Sequence, residues 1–136
     1  MSTGVVVSPN CAEAYGEIKM GRKYRYVLFG ITEGDKLIDV TKKAPREATY
    51  EDFVADLNEA CAQNKGLYAV YEYELSEKNS QLIFVVWIPD VIPVRAKMLY
   101  AGSQEGLRKQ LIGIKAVIKA NDVDEISKEE IEAKLK

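Results

Sequence analysis

The run Gln81–Ile88, QLIFVVWI, restricts the fold of this 136-residue chain more than any other segment. It is apolar almost throughout, so it reads as a strand covered on both faces rather than as a half-exposed one. Pro89 and Pro93 follow directly. Each disfavours the helical conformation in the residue before it, so a helix is expected to start at about Pro93 or Val94 and to stop at Gly113.

The remaining elements fall around that strand. Residues 1–7 read as a flexible or extended arm. Ser8-Pro9 opens a helix to about Met20, with Cys11, Ala14, Tyr15 and Ile18 on its core face. Tyr24–Ile31 and Lys36–Val40 read as a hairpin turning at Glu33-Gly34-Asp35, followed by a polar loop over Lys42–Ala48. Thr49 caps a helix over Tyr50–Gln63 whose buried stripe is Phe53, Leu57 and Cys61. Leu67–Leu75 alternates, placing Tyr68, Val70 and Glu72 on one face and Ala69, Tyr71 and Tyr73 on the other. Ile114–Ala120 is a short strand, and Ser127-Lys-Glu-Glu opens a terminal helix docked by Ile131 and Leu135. Helices interspersed with these strands predict a mixed α/β sheet of about five strands with helices on both faces, in a single domain over residues 1–136.

The helix after Pro93 has two unlike sides. Ala96, Leu99, Tyr100, Ser103, Leu107 and Leu111 form an ordinary core stripe. The other side carries Val94, Met98, Ala101 and Gly102, edged by Arg95, Lys97, Arg108 and Lys109, with Glu105 as its one acid. Apolar residues inside a basic frame suggest a docking surface for an acidic partner.

Composition closes off several chemistries. The chain has no histidine, which removes Ser-His and Cys-His nucleophile systems and the commonest metal ligand. Cys11 and Cys61 are too far apart in sequence for a zinc motif and read as buried, inert thiols. No P-loop or dinucleotide fingerprint is present, and Glu72/Glu74 and Glu129/Glu130/Glu132 read as solvated faces. A formal net charge of −2 argues against binding nucleic acid over the whole surface. The N-terminal ten residues carry no cationic region or long apolar run, which predicts a cytosolic chain.

Trp87, Pro89-Asp90, Pro93-Val94-Arg95, Lys97-Met98 and Tyr100-Ala101 resemble the signature of the ADF/cofilin family of actin-binding proteins. Gly4-Val5, Tyr26-Val27-Leu28-Phe29, Tyr50-Glu51-Asp52-Phe53 and Tyr68-Ala69-Val70-Tyr71 resemble further family features in the family's order. The resemblance implies the ADF-homology fold and a non-enzymatic protein without cofactor or metal. It implies binding to actin monomers and filaments, with depolymerisation and severing of filaments, in the cytoplasm and on the cytoskeleton. Entry to the nucleus stays open.

Residue by residue, the resemblance gives Val94, Met98, Ala101 and Gly102 the apolar contact with monomeric actin. It gives Arg95, Lys97 and Glu105 the charged rim, and Thr3, Gly4 and Val5 the contact made by the arm. In the family a serine just before Gly-Val is phosphorylated to switch binding off. Thr3 holds that place here, preceded by Ser2, and both hydroxyls stay open. The filament contact would use Lys78 and the last helix's Glu132, Lys134 and Lys136. That set is poorer in cations than the family's usual one, and Gly102 and Gln104 replace a usual serine and lysine. Monomer binding is therefore expected to be more secure than filament binding and severing. The family also answers phosphoinositides, for which the basic rim offers a partner. Three alternatives remain: a coactosin-like filament binder, a phosphoinositide-binding adaptor, and a small thiol enzyme.

Overall fold

Gln81–Ile88 supplies most of an interior strand of a six-stranded mixed sheet, seen in a computed structural model that describes residues 4–32, 34 and 36–135. In chain order the elements are β1 (Val6–Val7), α1 (Pro9–Lys19), β2 (Tyr24–Thr32), β3 (Leu37–Pro45), α2 (Tyr50–Ala62) and β4 (Leu67–Ser76). There follow β5 (Asn79–Trp87), α3 (Val94–Arg108), β6 (Ala116–Ala120), a 3₁₀ turn (Val123–Ile126) and α4 (Lys128–Leu135). The strand order is β1-β3-β2-β4-β5-β6, antiparallel in the middle, with a parallel pair at each end.

Alternation along β4 divides the core in two, as its sequence predicts. Tyr68 and Val70 face α1 and α3, in a cluster with Ile18, Phe29, Phe84, Tyr100 and Leu107. Ala69, Tyr71 and Tyr73 face α2 and α4, packed with Phe53, Leu57, Trp87, Ile118 and Ile131. Helices therefore cover both faces, and Ile83–Trp87 are buried throughout, which is why that run contains no polar residue. On the second face Tyr26, Tyr50, Phe53 and Tyr71 pack together, mostly edge-on or tilted, with ring centroids 5.0–5.8 Å apart. Such pairs contribute about 0.5–1.5 kcal/mol each beyond the area they bury. The Trp87 indole N–H donates to the Leu57 carbonyl at 2.8 Å, fixing α2 to the sheet.

The caps follow local chemistry. Ser8 accepts from the Asn10 N–H, with Pro9 in the first turn of α1. Thr49 and Asp52 form a reciprocal capping box at α2. Ser127 accepts from the Glu130 N–H at α4.

Several expectations need correction. Val6–Val7 is not loose arm but a short parallel strand on Leu37–Ile38, which raises the strand count from about five to six. The supposed polar loop after Val40 is the second half of β3. Backbone pairing tolerates Lys42 and Lys43, whose exposed ammonium groups pair with Asp56 on α2 and Glu17 on α1, while Ala44 is buried. On α2 Ala60 closes the core stripe, and Cys61 is only half-buried. α3 stops at Arg108, short of Gly113, and β6 begins at Ala116. Of the predicted hairpin turn, Gly34 has the positive φ of +65° that favours glycine; Glu33 and Asp35 lie outside the described residues.

Candidate functional site

α3 is held by its middle. The Tyr68 hydroxyl donates to the Tyr100 carbonyl, and the Tyr100 hydroxyl accepts from the Ile31 N–H at 3.0 Å. Tyr100 also packs close to Gly66, where a Cβ would meet its ring at 3.0 Å and the Trp87 carbonyl at 2.8 Å. Only Tyr100, Ser103 and Leu107 are buried along the helix. The outer half of its circumference is left to solvent.

That outer half has the pattern the sequence suggests. Val94 and Met98 are each 68% exposed, and Arg95, Ala101, Gly102 and Glu105 are exposed beside them. Lys97 is half-buried. Glu105 is spent within the helix, 3.7 Å from Arg108.

The start of α3 has an unusual electrostatic arrangement. Pro93 makes no side-chain cap, and the first turn contains no acidic residue. The free N–H groups and the helix dipole make this end electropositive, and carboxylates normally settle there. Arg95 and Lys97 stand there instead. Cations against a helix N-terminus cost about 0.3–1 kcal/mol each. The arrangement suits a carboxylate supplied from outside. α2 shows the ordinary solution, with Glu51 and Asp52 in its first turn.

Two further exposed apolar residues belong with this end and were not singled out by the sequence. Val91 is 79% exposed and Val123 44% exposed. The Asp90 N–H donates to the Asn121 carbonyl, and the Asn121 side chain donates to the Ile88 carbonyl, so the loops bearing both valines are tied together ahead of α3. Val91's position between two prolines was the available signal; Val123 gave none.

The remaining predicted residues are distributed unevenly. Gly4 is exposed with φ +79°, whereas Val5 is half-buried against the α1/α3 core, so the arm is anchored from Val5 onward. The contact between β1 and α3 brings Val7 within 3.6 Å of where a Cβ on Gly106 would stand. Ser2, Thr3 and Lys136 lie outside the described residues. Lys78 is exposed in a depression lined by Lys19, Arg22 and Glu72. Glu132 instead accepts from the Tyr73 hydroxyl at 2.6 Å and shares a different depression with Arg25 and Lys128. Lys134 is exposed on α4. The structure thus does not gather Lys78 and Glu132 into one cluster.

Several carboxylates and the Cys11 thiol have structural employment. Glu72 is buried, not solvated as its sequence context suggests; Arg46 and Arg22 bind its carboxylate, and Arg25 pairs with Glu74 at 2.6 Å. Cys11 is fully buried and donates to the Ile38 carbonyl at 3.4 Å. Burial, aided by Asp39, pushes its thiol up to about 11, so the nucleophilic thiolate is scarce at neutral pH.

Comparison with known proteins agrees with this geometry. The family model described as cofilin/tropomyosin-type actin-binding protein matches residues 4–136. The cofilin of Eremothecium gossypii is 37% identical over 134 residues, covering 95% of this chain and 90% of the relative. The crystal structure of Streptomyces griseoflavus cofilin superposes with a TM-score of 0.88 at 33% identity, covering 97% of each chain. A coactosin structure from Entamoeba histolytica shares the fold at a TM-score of 0.77 but only 19% identity, covering 97% of this chain and 94% of that one. With the family model spanning nearly the whole described chain and an exposed, cation-framed α3 on the matching fold, this chain belongs to the ADF/cofilin family of actin-binding proteins, which are not enzymes.

Proposed function

We propose that the outer face of α3 is the surface that grips monomeric actin. The observation that carries this reading is the start of α3, where no side chain caps the helix, its first turn holds no acidic residue, and Val94 and Met98 stand exposed among Arg95 and Lys97. Val94, Met98, Ala101 and Gly102 exclude water at the centre of the contact, while Arg95, Lys97 and Glu105 set orientation and rate. Val91 and Val123 extend the apolar strip beyond the helix. Gly4, Val5 and Thr3 bring the arm to the same partner. The chain acts as one ADF-homology unit, monomeric, in the cytoplasm and on the cytoskeleton.

Filament binding, depolymerisation and severing follow from the same family membership, with Lys78, Glu132, Lys134 and Lys136 as the filament-side set. Monomer binding is the stronger activity, because Glu132 is committed to Tyr73. Phosphorylation of Ser2 or Thr3 adds nearly two negative charges to the arm and weakens the grip on an acidic partner. The basic rim also accepts an anionic phosphoinositide headgroup in competition with actin.

Co-pelleting with actin filaments, paired with monomer binding, tests the reading. The double variant Met98→Ala/Lys97→Ala is expected to lose both; normal binding by that variant refutes the assignment to α3. Ser2→Glu and Thr3→Glu are each compared with wild type, and equal affinities for all three proteins refute the charge switch.

A further inference from the structure

The core stripe of α3 is incomplete at its N-terminal end. Periodicity places Ala96 and Leu99 inward with Tyr100, Ser103 and Leu107, yet only the last three are buried. Ala96 and Leu99 stay half-buried, and so does Ile31 near the end of β2. With Tyr100 they line a groove of about 300 Å³ between the first half of α3 and the α2–β4 turn. Its walls are fixed. On one side the Ile31 N–H donates to the Tyr100 hydroxyl at 3.0 Å. On the other, Asn64 takes a positive φ of +63°, and the Lys65 N–H donates to the Ala60 carbonyl at 2.9 Å, holding the turn against the end of α2. Gly66 then packs against Tyr100 too closely to admit a Cβ. A groove framed in this way is formed before anything enters it, as ligand cavities usually are. Its rim has one sign. Lys65 and Arg95 line the groove, and no acidic residue does. Lys65 is exposed and makes no ion pair among the described residues. Pro93 lines the groove too, so it reaches the electropositive start of α3, which no side chain caps.

We propose that this groove binds a small carboxylate with an apolar body of about one ring, free in solution. The body covers Ala96, Leu99 and Ile31 and completes the unfinished stripe, while the carboxylate pairs with Arg95 and Lys65. The volume lies at the lower end of the range of ligand cavities, about 300–1,000 Å³, so the occupant is small. Two cations match one carboxylate. A polyphosphate headgroup carries more charge than that rim answers and no apolar body to cover the wall. The groove lies beside the outward strip of Val94, Met98 and Ala101 and shares only Arg95 with the residues assigned there. One consequence rests on the reading of α3 given above: ligand and monomeric actin draw on the same arginine, so the ligand slows actin association. The groove itself does not depend on that reading, and its test contains no actin.

The test is an amide chemical-shift titration of the isotope-labelled full chain with phenylbutyrate. Saturable shifts are expected, with a Kd on the order of 1 mM, confined to Ile31, the turn over residues 63–65 and the first half of α3. Phenylbutanol has the same shape without the charge and is expected to bind about fivefold more weakly or worse, and so is phenylbutyrate to Lys65→Ala. Ala96→Phe fills the groove from the helix side and is expected to abolish the saturable shifts while its spectrum stays that of a folded chain. Shifts that fail to saturate, or that spread over the whole surface, overturn the proposal. Equal affinity for the alcohol or in Lys65→Ala overturns it too, as does saturable binding retained by folded Ala96→Phe. Should Ala96→Phe not fold, the alcohol and Lys65→Ala decide alone. Inositol trisphosphate is the last arm: displacement of phenylbutyrate from these residues assigns the groove to a lipid headgroup and overturns the proposal.

Discussion

The hydroxyl of Tyr68 donates to the main-chain carbonyl of Tyr100, so β4 is bonded to the centre of α3, the helix proposed to carry the docking face. Both residues are buried, and the Tyr100 hydroxyl in turn takes the Ile31 N–H. The exposed residues of α3 are thereby displayed from a helix fixed at its midpoint. A partner docking on that face would find it set in advance, with little ordering entropy left to lose on contact.

Replacing Tyr68 by Phe keeps the ring and deletes the donor. Stability is expected to fall by about 1 kcal/mol, since a buried carbonyl loses one of its two partners. Urea denaturation of Tyr68→Phe against wild type measures this. An unchanged midpoint means the bond contributes nothing.

Gly66→Ala attacks the same junction sterically. The added methyl would lie 2.8 Å from the Trp87 carbonyl and 3.0 Å from the Tyr100 ring, both immobile. Overpacking of this kind costs about 1–3 kcal/mol. Thermal unfolding is expected at a lower temperature, and affinity for actin is expected to drop with it as α3 is displaced.

The buried Glu72 carboxylate tests how much the arginine cluster contributes. Glu72→Gln weakens charge-assisted bonds to Arg46 and Arg22 and is expected to cost about 1–3 kcal/mol. Arg22→Ala, at a largely exposed position, is expected to cost under about 1 kcal/mol. Chemical denaturation of the two variants side by side should show that order, and the reverse order contradicts it.

Stability should respond to alkali. Burial raises Cys11 from 9.0 to about 11 and Tyr71 from 10.0 to about 12, and it also raises Tyr15, Tyr26, Tyr50, Tyr68 and Tyr73. The fold favours the neutral, protonated forms. Their contribution is complete below the unfolded values of 9.0 and 10.0, and it erodes as pH rises through about 11 for Cys11 and about 12 for Tyr71. The melting temperature is expected to fall steadily above about pH 9, with tyrosinate absorbance appearing only as the protein unfolds. Early, reversible ionisation of the tyrosines in folded protein would contradict this.

The exposed apolar side of α3 was legible because helical periodicity sorts the helix without reference to any partner: Tyr100, Ser103 and Leu107 inward, Val94 and Met98 outward. The two-sided core was legible from β4, where Tyr68 and Val70 alternate with Ala69 and Tyr71. What the sequence hid depends on contacts between distant segments. Glu72 looks solvated in a Glu-Tyr-Glu run, yet the ends of α1 and β3 bring Arg22 and Arg46 to it. Lys42 and Lys43 look like loop because strand pairing at an edge is a backbone property and leaves no apolar trace. Lys78 and Glu132 look like partners in one filament contact. The alternation of β4 separates them, since Glu72 opens toward Lys78 while Tyr73 points toward Glu132.

The binding kinetics of Met98→Ala and Lys97→Ala with monomeric actin test the role of α3 most directly. Loss of the apolar anchor is expected to speed dissociation tenfold or more, about 1.4 kcal/mol, with association nearly unchanged. Loss of the rim charge is expected to slow association and flatten its dependence on salt. Wild-type association and dissociation rates in Met98→Ala would contradict the claim that this exposed face is where actin is held.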